Sequence, residues 1–151
     1  KIDLTGLQPA STTVTPYLSV ARPPKVNQNV LGGFLHLRGR LAPTGFGVIS
    51  ETNQTWNLAG GYSQFRATVG VDDAAQGGGS VIFKVLIDDA VTWQSDLLTG
   101  QSAAVTLPAI EISDTERLSL IVESADRGSV LDYANWCEPV LIRKSVAAAR
   151  P

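Results

Sequence analysis

Glycine and proline punctuate the whole chain, and the stretches between them are short and rich in β-branched and aromatic residues. There are 14 glycines and 8 prolines in 151 residues. No segment carries the 3.6-residue apolar period of an amphipathic helix. Such spacing predicts an all-β domain of about nine or ten short strands, packed as a two-sheet sandwich. The clearest predicted strands are Phe65–Val71, Ser80–Ile87 and Arg117–Glu123. Weaker ones are Gly33–Leu37, Phe46–Ile49, Thr55–Leu58, Val91–Gln94, Ala104–Leu107 and Trp136–Ile142. In the second strand Val81, Phe83, Val85 and Ile87 share one face, and Ile82, Lys84 and Leu86 the other, so both faces are expected to be largely covered. Leu118, Leu120 and Val122 alternate with Ser119 and Ile121, a half-buried pattern. Asp88-Asp89 reads as a tight hairpin turn, because aspartate tolerates left-handed backbone. Ala74–Ser80, with its three glycines, reads as a longer, flexible loop. The proline-rich N-terminal third is expected to be irregular.

Composition removes several classes of function. Twelve basic residues stand against 14 acidic ones, a net charge of −2, so a basic footprint for nucleic acid is missing. The longest apolar run, Val81–Ile87, is interrupted by Lys84 and is far short of the ~20 residues of a membrane span. The single cysteine, Cys137, allows no internal disulfide and reads as a small buried residue. The single histidine, His36, lies between two leucines and reads as an outward polar residue, since transition-metal sites need clustered ligands. Gly77–Gly79 lacks the Lys-Ser/Thr and the helix that a phosphate cradle requires. Asp72, Asp73, Asp126, Asp132 and Glu138 lie near strand ends. A carboxylate-pair hydrolase is conceivable from them, but loop aspartates more often hold backbone amides or a hard cation such as calcium. Trp56 and Trp93 fall within apolar alternation and are assigned to packing.

Five segments in register carry a family resemblance: Gly45–Ser50, Trp56–Phe65, Val69–Asp73, Gly79–Val85 and Leu131–Trp136. In this order the chain resembles the NPCBM family of carbohydrate-binding modules over roughly residues 3 to 143, with the domain taken as 1–144 and 145–151 as tail or linker. The resemblance implies an all-β, two-sheet antiparallel β-sandwich, jelly-roll-like and non-catalytic, that recognises galactose-containing glycans, blood-group structures included. It implies a secreted, periplasmic or cell-surface bacterial protein with further domains, of which this chain, beginning at Lys1, reads as a segment, and in some members a structural calcium. Carried onto this sequence, the sugar-contacting candidates are Asp72, Asp73, Arg127, Asp132, Tyr133, Asn135 and Trp136. The last is weighed against a place in the core. The sequence departs from the family at three positions. Ile49 stands where histidine is common, and Asp132-Tyr-Ala-Asn-Trp136 replaces Asp-His-Ala-Asp-Trp. Isoleucine cannot hydrogen-bond a hydroxyl, and Tyr133 and Asn135 bring different geometry. The alternative is an interaction or scaffolding sandwich that has lost sugar binding.

Overall fold

The computed structural model describes residues 1–15, 21–126 and 130–144. In chain order the strands are β1 (Ile2–Asp3), β2 (Ser11–Val14), β3 (Lys25–Val26), β4 (Leu35–Leu37), β5 (Arg40–Ala42), β6 (Gly45–Ile49), β7 (Thr52–Asn57) and β8 (Tyr62–Val71). They continue as β9 (Ser80–Ile87), β10 (Ala90–Gln94), β11 (Leu98–Thr99), β12 (Val105–Thr106), β13 (Ile110–Glu111), β14 (Arg117–Ser124) and β15 (Tyr133–Arg143). Among the described residues the only helical turns are two 3-10 segments, Leu4–Gly6 and Asp73–Ala75, and no helix is long and apolar enough to cross a membrane.

Two antiparallel sheets face one another. The first runs β12-β8-β15-β6-β3, with β1 on β15 and β13 on β8; the second runs β10-β9-β14-β7-β2, with β11 on β9. The described residues of the N-terminal third thus include paired strands that its prolines do not suggest, because β1 and β2 borrow partners far along the chain: Ile2 pairs with Leu141 and Ser11 with Thr55. Phe46, Val48, Val69, Val71, Ala134 and Trp136 of the first sheet meet Trp56, Val81, Phe83, Val85, Leu118, Leu120 and Val122 of the second to form the core. Phe83 packs edge-on against Trp136 at 5.1 Å and 88°, a geometry worth about 0.5–1.5 kcal/mol beyond the burial itself. Trp56 donates its indole N–H to the Leu7 carbonyl at 3.0 Å, which ties the N-terminal segment to the sandwich. Trp93 is half-buried and packs on the same core. The second face of β9 is only half covered; there Lys84 pairs with Glu123 of β14 at 2.8 Å. Asp88 and Asp89 sit at φ 48° and 70°, as the β9–β10 turn requires.

The outer face of the first sheet is not bare. Segment 27–42, which includes the β4–β5 hairpin, lies across it and buries Val30, Leu35 and Leu37 outside the main core. Glycines make that approach possible. A Cβ on Gly47 would stand 2.3 Å from the Gln28 carbonyl oxygen, and one on Gly70 would stand 3.0 Å from Leu37.

Candidate functional site

The strand registers gather three connections at one end of the sandwich. Ile49 pairs with Tyr133, Val71 with Ala134, and Val81 with Ser124. The β6–β7, β8–β9 and β14–β15 connections therefore share this end, and segment 27–42 leans against it.

Asp72 organises the end. It is fully buried, and its carboxylate accepts from Asn135 Nδ2 at 2.7 Å, Ala74 N–H at 2.8 Å, His36 N–H at 3.1 Å and Asn29 Nδ2 at 3.2 Å. The His36 Nδ1 lies 3.0 Å from Asp72 Oδ1. His36 is thus half-buried against a carboxylate rather than simply outward. A polar side chain is tolerated in burial when donors of this kind replace its water. Asp73 continues the bracket by accepting from the Arg38 and Gly39 backbone N–H groups at 2.8 and 2.7 Å, which pins the β4–β5 turn. Asp132 is also fully buried and accepts the Ser80 N–H at 2.8 Å. Burial pushes its carboxyl above the ordinary 3.8, and the nearby Ser80, Ser50 and Ser124 groups offset part of this. The glycine-rich connection is consequently braced, with Gly100 N–H bonded to the Gly78 carbonyl and Gly79 tight against Leu131.

Tyr133 and Asn135 belong to β15 itself rather than to the preceding loop. Tyr133 is half-buried, whereas Asn135 is buried and gives its amide to Asp72, its Oδ1 having no partner among the described residues. Trp136 is 1% exposed and belongs to the core, so it offers no surface platform. Arg127 and the 145–151 tail lie outside the described residues. Cys137 is buried, and its thiol is pushed up to about 12, chiefly by burial.

The Asp72 and Asp73 oxygens thus face N–H donors. A calcium ion needs six to eight convergent oxygens, whereas the Asp72 and Asp73 oxygens are taken up by N–H donors; these two carboxylates do not fit such a site. They fit no acid–base pair either, since both are committed to holding backbone.

Asn29, bonded to Asp72, also bonds the carbonyl of Phe34, a residue that the sequence pattern places in a strand. Phe34 is 78% exposed, the most exposed large apolar side chain among the described residues. It lines a hollow of about 210 Å³ with Asn27, Gln28, Gly32 and Gly33. The available signal was an aromatic residue directly after a Gly-Gly pair. A larger hollow of about 810 Å³ lies at the opposite end, lined by Asn57, Asp88, Asp114, Glu116 and Arg117 among others.

Residues 2–142 match the model of the NPCBM/NEW2 domain. No curated protein matches the chain. Among solved structures, the second CBM51 module with INT domains of Clostridium perfringens ZmpB, in complex with GlcNAc, is 22% identical with a TM-score of 0.83, over 93% of this chain and 31% of that one. The CBM51 of the Clostridium perfringens GH95 protein, in complex with methyl-galactose, is 20% identical with a TM-score of 0.83, over 93% and 98%. The tandem CBM51 modules of a Streptococcus pneumoniae family 98 glycoside hydrolase are 14% identical with a TM-score of 0.67, over 95% and 47%. At these identities the likeness is one of fold. The chain spans about a third of the first structures it matches.

Proposed function

Since the chain belongs to the NPCBM/NEW2 domain family, we propose that it is a non-catalytic carbohydrate-binding module recognising galactose-type glycans, one part of a larger secreted or cell-surface bacterial protein. The family match over residues 2–142 carries this reading. Support comes from the similar folds, one solved with methyl-galactose and one with GlcNAc, and from the braced end around Asp72. A sugar presents hydroxyls to amides and carbonyls and a C–H face to an aromatic ring. Single sugars bury little apolar area, so a Kd of about 0.1–1 mM is expected. Avidity from neighbouring modules would then supply useful binding. Glycan-array screening followed by calorimetric titration with galactosides tests the reading; a folded sample with no array signal and no heat would overturn it.

One observation favours a second reading. Asp72, Asp132 and Asn135 are buried, so three carried-over sugar contacts are committed to the protein's own structure, as in a scaffolding domain. Capture of a protein partner by a sample silent on glycans would support that reading.

A further inference from the structure

Phe34 is exposed but not loosely held. Asn29, itself only 3% exposed, folds residues 29–34 into a closed turn. Its Oδ1 accepts from Gly33 N–H at 2.9 Å and from Leu31 N–H at 3.0 Å. Its Nδ2 donates to the Phe34 carbonyl at 3.1 Å and to the buried Asp72 carboxylate at 3.2 Å. Its backbone N–H and carbonyl bond Gly33 and Gly32, each at 2.9 Å. The turn is therefore fixed both to itself and to the sheet. Below it, Asn27 sits at φ 60°, with its Oδ1 accepting the Gly45 N–H at 3.1 Å, and the residue is exposed. Gln28 is exposed as well.

We infer that the hollow walled by Phe34, Asn27 and Gln28 is a subsite for one terminal pyranose ring, stacked through its C–H face on Phe34 and held at its hydroxyls by the two amides. The inference rests on the carbohydrate-binding reading and names where and how that binding occurs. Three observations carry it. The hollow of about 210 Å³ lies below the roughly 300–1,000 Å³ of sites for drug-sized ligands and suits a single ring. Its lining combines one apolar face with amide groups that both donate and accept, the mixture a polyol requires. The backbone that carries the ring is held by hydrogen bonds, so the turn has little conformational freedom to lose on binding. Asn29 and Asp72 are positioning residues in this arrangement, because they act through the turn.

The test is calorimetric titration of methyl galactoside and GlcNAc into the unaltered chain and into Phe34→Ala, Phe34→Trp, Gln28→Ala and Val91→Ala. Val91 is an exposed apolar residue on β10, outside the hollow. Phe34→Ala is expected to weaken binding at least about tenfold, with a melting temperature within about 2 °C of the unaltered chain, since an exposed side chain adds little to stability. Phe34→Trp keeps the binding, Gln28→Ala weakens it a few-fold, and Val91→Ala leaves it unchanged. An unchanged Kd in Phe34→Ala, with the unaltered chain binding, overturns the subsite and leaves the family reading standing. Absence of binding by the unaltered chain overturns both.

Discussion

The two ends of the sandwich use acidic residues in opposite ways. At the hairpin end Asp72 and Asp132 are fully buried, and they and Asp73 turn their oxygens onto backbone N–H groups or side-chain amides that the chain supplies from far away. At the other end Asp89 pairs with Arg117 and Asp114 with Lys144 across exposed surface. The second end has the larger hollow, yet its charges are largely solvated. The first has the smaller hollow, but its walls are held by a buried network. Volume alone is therefore a poor guide to a binding site; what distinguishes the hairpin end is that the backbone carrying its solvent-facing side chains is pinned by hydrogen bonds.

Mutations can break or sharpen this contrast. The largest effect is expected from Asp72→Ala. It strands buried donors from Asn29, His36, Ala74 and Asn135, and should cost about 3–5 kcal/mol in urea unfolding; a loss below about 1 kcal/mol would show that the end is not braced through this carboxylate. A second effect concerns Asp132 and pH. Its folded carboxyl is raised above the ordinary 3.8 by burial, so the unfolded chain ionises first as pH rises. The stability this group contributes is full below that value and is lost as pH climbs through the raised folded one. Stability of the unaltered chain should therefore fall relative to Asp132→Asn from about pH 4 upward, and a constant or reversed difference would contradict the assignment. Asp73→Ala should cost about 1–2 kcal/mol and speed amide exchange at Arg38 and Gly39, whose N–H groups it holds. At the opposite end, Arg117→Ala removes an exposed pair and should change stability by less than about 0.5 kcal/mol.

How much of this could be read beforehand follows from the range of each signal. Strand β9 and the alternation of Leu118, Leu120 and Val122 are local patterns of period two, and the sequence displays them directly. The Asp88-Asp89 turn is local as well. Asp72 was recognisable as a loop aspartate, but its partners stand 43, 36 and 63 positions away at Asn29, His36 and Asn135, and no periodicity reports such distances. The same limit hid β1 and β2, whose strand partners are remote. Trp136 could be assigned either way from its neighbours; its burial and its contact with Phe83 place it in the core. Phe34 was overlooked for a different reason. An aromatic residue before Leu-His-Leu reads as strand, and its exposure results from the turn that Asn29 closes, a matter of tertiary hydrogen bonding.

The claim that the braced end receives the sugar is tested most directly by mapping backbone amide shifts in two-dimensional NMR spectra while methyl galactoside is added to the unaltered chain. Saturable shifts at Asn27, Gln28 and Gly32–Phe34, with residues 57–60 and 114–117 unmoved, are the expected result. Shifts confined to residues 57–60 and 114–117, or none at millimolar sugar, would contradict it.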